Sequence, residues 1–233
     1  MSEVKDTFFE LLKPKIAAHG FAYKKSTSSY VKTIGELQFT IKIKWDGRGG
    51  ITMINNIDFY VTNIAVHKAY KKPTATGGFE WQIFNHIWYS DSDGKLIIPM
   101  MYSRETLDLA NDMNLHALAQ IPFERKYPMP RIVSCVAKVE ELILSQILPF
   151  FDNNKSDEVI FAQLCEKLDK TDVTEIGGHF IFLVKLYAKK LGVAVPEKIR
   201  NDVSYIQYFK DGFGYMDKID FDALEAQLTN YKF

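Results

Sequence analysis

The chain has 233 residues, enough for one large domain or two small ones, and chains of this length bury roughly 70% of their unfolded surface, so stability needs no metal or disulfide. Its 29 basic and 29 acidic side chains cancel, no apolar run approaches the ~20 residues of a membrane span, and MSEVKDTFFELLKPK mixes acid and base without the apolar centre of a signal peptide. The two cysteines, Cys135 and Cys165, sit in periodic apolar sequence, which argues against a disulfide framework and predicts a cytoplasmic protein with buried thiols.

The first helix is predicted from about Val4 to His19, with Phe8, Leu12 and Ile16 on one face, Phe9 and Leu11 widening it, and Gly20 as a left-handed cap. Pro14 falls inside that pattern, and a kink or a fresh helical start is expected there. Strands follow. Ser29 to Ile34 and Leu37 to Trp45 are joined by a two-residue turn at Gly35 and Glu36. In the second of them Leu37, Phe39, Ile41, Ile43 and Trp45 alternate with Gln38, Thr40, Lys42 and Lys44, giving one buried and one wet face. Asp46 to Gly50 reads as a glycine-rich turn into a third strand, about Ile51 to Val61, so the three form an antiparallel meander.

A helical or irregular piece, Ile64 to Tyr70, and a glycine-rich loop, Pro73 to Gly78, precede a fourth strand from Phe79 to Tyr89. The turn Asp91-Ser92-Asp93-Gly94 then leads to a short strand, about Leu96 to Tyr102, with Pro99 marking an edge or bulge. From Ser103 the period becomes helical. Helices are predicted over about Ser103 to Gln120 and, after the proline-rich stretch Pro122 to Pro130, over Arg131 to Phe151 with the stripe Ile132, Val136, Val139, Ile143 and Ile147. Others fit Ser156 to Leu168, Val173 to Leu191, Glu197 to Lys210 and Phe221 to Asn230. The order of elements defines an α+β protein: a helix on an antiparallel sheet of about five strands over residues 1–121, then a helical region over residues 122–233 packed on it, as two domains or one continuous one.

The block FFELLKPKIAAHGFAYKKSTSSYVKTIGELQFTIKIKWDG, through Phe8, Leu12, His19, Gly20, Phe21 and the alternating run Phe39 to Trp45, resembles an uncharacterised bacterial family known as a domain of unknown function. The resemblance covers about the first quarter of the chain. It implies a first helix ending in a Gly-Phe step before an antiparallel meander, and brings no activity, cofactor or catalytic residue to carry over.

Walker, GxGxxG, GxSxG, HExxH and CxxC motifs are absent, which disfavours several enzyme classes without excluding a site assembled from dispersed residues. Asp46-Gly47-Arg48-Gly49-Gly50 has the composition of an anion nest, but a glycine-rich hairpin turn explains it as well. Asp91 to Gly94 begins like a calcium loop, yet Lys95 and Tyr102 stand where ligands are required, so a turn is the better reading. The histidines at 19, 67, 86, 116 and 179 never take paired ligand spacing, and no metal or cofactor is expected. A Cys135 or Cys165 nucleophile served by His179 and Asp172 is conceivable, but both thiols stand at helical core positions.

The most informative group is Phe84, His86 and Trp88, which alternate with Ile83 and Ile87 and make the fourth strand apolar on both faces. Such a strand must be covered twice, and coverage of the second face by later helices is the first expectation. The other is a groove for a partner or small molecule, with His86 its polar handle and Tyr60 and Tyr89 nearby. Lys42 and Lys44, with Lys24, Lys25 and Lys32 behind them, form a basic surface, and residues 1–72 carry 12 basic against 6 acidic side chains. Gln38 and Thr40 stand where stacking aromatics would be wanted, which disfavours nucleic acid. Together these features point to a non-enzymatic protein-interaction or regulatory module, of the immunity-like kind that binds and neutralises another protein, with no membrane association. The candidate binding residues are Phe84, His86, Trp88, Tyr60, Lys42 and Lys44, and the partner is an unidentified protein. The alternative is a hydrolase or transferase with a dispersed site between sheet and helices.

Overall fold

The computed structural model describes residues 3–48, 51–69, 83–95, 97–98, 129–170, 178–200, 226 and 228–233. Helix α1 (Glu3–Ala17) buries Phe8, Leu12 and Ile16 completely, with Val4 and Phe9 beside them, as the four-residue spacing requires. The helix does not start afresh at Pro14: α1 runs through it, and the Pro14 carbonyl accepts the N–H of Ala18 at 3.3 Å. Pro14 and Glu10 both face solvent, so water can satisfy the Glu10 carbonyl that proline leaves without a donor. Gly20 ends the turn at φ +84°, a conformation that a side chain would strain.

Five strands form one antiparallel sheet in the order β1 (Ala22–Lys24), β2 (Ser29–Ile34), β3 (Leu37–Arg48), β4 (Ile51–Asn63) and β5 (Ile83–Trp88). The α+β class and the strand number agree with the sequence reading, but the membership of the sheet differs. Strand β1 was not foreseen, because three residues are too few to show a period. It pairs Ala22 with Val31 and Lys24 with Ser29 across a single 3-10 turn, Lys25–Thr27, that closes on Ser28 in the left-handed region at φ +51°. Of the expected strand from Leu96 to Tyr102 only Ile97 and Ile98 are among the described residues, and they lie in a bend with both N–H groups on the Tyr89 carbonyl. Of the turn expected over Asp46 to Gly50, Asp46, Gly47 and Arg48 continue β3 instead, and Gly49 and Gly50 lie outside the described residues.

Short helix α2 (Ile64–Ala69) follows β4 directly, and Asn63 caps it: its Oδ1 accepts the N–H groups of Ala65 at 2.9 Å and Val66 at 3.1 Å. Further on, α3 (Met129–Leu142) passes through a π turn, Ile143–Ile147, into α4 (Leu148–Asp152). Helix α3 starts inside the proline-rich stretch, since Pro130 occupies its first turn, where a missing N–H costs nothing. The predicted stripe Ile132, Val136, Val139, Ile143 and Ile147 is buried throughout, and Cys135 lies in it. Helices α5 (Asp157–Lys170), α6 (Gly178–Leu191) and α7 (Glu197–Arg200) complete the described elements. Ser156 caps α5 through its hydroxyl to the N–H of Val159. The Pro73 to Gly78 loop, the start of the fourth strand at Phe79, the Ser103 to Gln120 helix, Asp172, His116 and most of the last two predicted helices lie outside the described residues.

The chain divides into two compact units that do not follow chain order. One comprises Met1–Lys32, Phe39–Tyr60 and Phe84–Phe151, and the other Thr33–Gln38, Val61–Ile83 and Asp152–Phe233. In the first, Phe151 meets the rings of Phe21 at 5.8 Å and Phe39 at 5.3 Å, while Phe8 packs edge-on to Trp45 at 5.0 Å. In the second, Ile160, Leu164 and Leu168 of α5 and the run Ile181 to Val184 with Leu186 and Tyr187 of α6 are the apolar core. Each such side chain contributes about 1.5–3 kcal/mol by leaving water.

Candidate functional site

Successive side chains of a strand point to opposite faces, and ring contacts show which face is which. Phe39 of β3 and Phe59 of β4 meet the helical residues Phe150 and Phe151, so odd-numbered positions of both strands face the helices. Even-numbered positions form the second face, and the ion pair between Lys44 and Asp58 ties β3 to β4 there.

This second face is not the open, wet surface that alternation suggests. Thr40 is 3% exposed, and Ile54, Asn56, Asp58, Tyr60 and Thr62 are all buried, so β4 is covered on both sides. The burial selects the polar residues that can satisfy one another. Asn56 Nδ2 donates to Asp58 Oδ1 at 2.5 Å, and Lys44 Nζ lies 2.6 Å from Asp58 Oδ2. A carboxylate with a 1% exposed side chain is thus held by an amide and an ammonium, which offsets the loss of its hydration.

Strand β5 presents the candidate aromatic row. The N–H of Tyr89 bonds to Asn55 of β4 at 3.1 Å, and an antiparallel ladder continued from that bond sets Ile87 across from Ile57, His86 across from Asp58 and Phe84 across from Tyr60. Ile87 is buried accordingly. The other set remains exposed: Trp88 is 49% and Phe84 38% accessible, and His86 is exposed between them. The expected cover by later helices falls in part on residues outside those described. The three rings are in contact, with centroids 5.7 Å apart for Phe84 and His86 and 5.0 Å, edge to face, for His86 and Trp88.

The six residues singled out from the sequence thus share one sheet face but not one environment. Phe84, His86 and Trp88 are in mutual contact, Lys44 is committed to Asp58, Tyr60 is buried, and Lys42 is half-buried. Sequence reasoning missed Asp58 and Asn56. The available signal was the pair of polar residues two apart inside the apolar strand Ile51 to Val61, a spacing that puts both on one face.

A second polar cluster, also unforeseen, lies within the unit formed by Thr33–Gln38, Val61–Ile83 and Asp152–Phe233. Lys190 Nζ of α6 is 2.5 Å from Asp157 Oδ2 at the start of α5 and 2.5 Å from Glu36 Oε2 in the hairpin turn, and Asn63 Nδ2 donates to Asp157 Oδ1 at 2.6 Å. Burial would lower the Lys190 pKa, but its hydrogen bonds and ion pairs with the two carboxylates outweigh it and hold the ammonium above the usual lysine value. The Lys190 hydrogen bond and charge in turn hold the Glu36 carboxyl below its ordinary range. Every member is engaged, so the cluster is built for stability and offers no free base.

Other candidate chemistry is accounted for. The Asp91 carboxylate accepts the N–H groups of Asp93 at 3.1 Å and Lys95 at 2.7 Å, and Gly94 adopts φ +77°, so the calcium-like segment is a self-bonded turn. Among the described residues, no three His, Cys, Asp or Glu side chains converge as metal ligands, and no helix is long and apolar enough to cross a membrane. Burial pushes the Cys135 thiol up to about 12, and burial followed by the Asp169 charge raises that of Cys165. Native protein at pH 8 is accordingly expected to leave Cys135 unmodified by a thiol-titrating disulfide reagent and to react slowly at the half-buried Cys165, with both thiols reacting in denaturant. Rapid native reaction of two thiols per chain would contradict this.

Comparison with protein-family models, with curated proteins and with solved structures finds no match.

Proposed function

We propose that the chain is a protein-interaction or regulatory module that engages its partner through the aromatic row of β5. The observation that carries this reading is the exposure of Phe84, His86 and Trp88 as a contiguous set of rings on the terminal strand of a well-packed sheet. Large aromatic side chains left in water cost free energy that a partner can recover, and tryptophan is the residue most enriched among those dominating binding energy. Beside the row, on the same face of the neighbouring strands, the Asn56–Asp58–Lys44 cluster fixes a buried polar group. Neutralisation of another protein, as an immunity-like factor does, is the regulatory form of this reading.

The test is photo-crosslinking from position 88 in the native cell, followed by affinity measurement with the captured protein. Trp88→Ala is expected to weaken binding by about 2 kcal/mol or more, roughly 30-fold. Its effect on stability should stay within about 0.5 kcal/mol, because the side chain is exposed. Unchanged affinity in a Phe84→Ala/Trp88→Ala double variant would remove the basis of the proposal.

A specific observation supports the alternative of a hydrolase or transferase with a dispersed site: a buried carboxylate and an amide stand on the strand adjoining His86. That reading predicts turnover on a panel of ester, amide and phosphoryl substrates, abolished by His86→Gln and by Asp58→Asn in folded protein. Failure of the whole panel, or turnover indifferent to both substitutions, rules against it.

A further inference from the structure

We draw no further inference here: the strongest candidate, the exposed apolar residues Met129, Val133 and Leu144 along the helix through α3 and its π turn, is a helix face for which nothing in the structure shows what covers it.

Discussion

Replacing Phe151 by alanine is expected to destabilise the protein by about 3–5 kcal/mol, the cost of truncating a fully packed phenylalanine and leaving a cavity. Phe151 is 4% exposed, and its ring meets those of Phe21, Phe39, Phe59 and Phe150, which come from the link between α1 and β1, two strands and its own helix. No single neighbour can relax into the gap without pulling on an element held elsewhere. The unfolding midpoint should fall by roughly 10 °C, since about 1 kcal/mol corresponds to roughly 2–4 °C in a chain of this length. Phe150→Ala is the control: that ring is half-buried and should cost clearly less. Equal losses from the two substitutions, measured by chemical denaturation, would show that the packing around Phe151 is misassigned.

Lys190→Met carries the second large effect, about 2–3 kcal/mol, because it removes a charged donor that is 12% exposed and serves two carboxylates. Most of the loss should come from Asp157, which is 19% exposed and keeps only its bond from Asn63 among those described. Glu36 is 58% exposed and can return to water, so Glu36→Gln alone should cost well under 1 kcal/mol. The pH dependence follows from the directions of the shifts. The lowered folded pKa of Glu36 makes its small contribution complete above the unfolded carboxylate value, about 4.3, and loses it as pH falls through the folded value. The raised folded pKa of Lys190 makes its contribution complete below about 10.4 and loses it as pH rises through the folded value. The stability difference between the native protein and Lys190→Met should therefore be flat from about pH 5 to pH 10 and shrink outside that window. A difference that varies steeply near neutrality would show that another group dominates.

Local pattern made much of the fold legible. The four-residue spacing of Phe8, Leu12 and Ile16, the alternation from Leu37 to Trp45, the Gly35 turn at φ +57° and the stripe from Ile132 to Ile147 each identify an element and its buried face from one short segment. Strand β1 escaped because its three residues carry no period and hold their place through pairing with β2. The helix continues through Pro14 without a fresh start because that turn of α1 faces solvent, where water can reach the carbonyl that proline leaves without a donor. The candidate site was legible in part: period 2 put Phe84, His86 and Trp88 on one face, but whether that face is covered depends on segments far away in the chain.

Taken alone, then, the amino-acid order determined the α+β class, most of the inward-facing residues and the aromatic row of β5, because each follows from side-chain period and backbone stereochemistry over a few residues. Only the tertiary structure decided that Thr40, Asn56 and Asp58 on the nominally wet face are buried while Phe84 and Trp88 on the same face are exposed. It also decided that Lys190 draws together Glu36 and Asp157, 154 and 33 residues away. Burial and charge pairing of this kind are properties of which segments meet, and no local period records them.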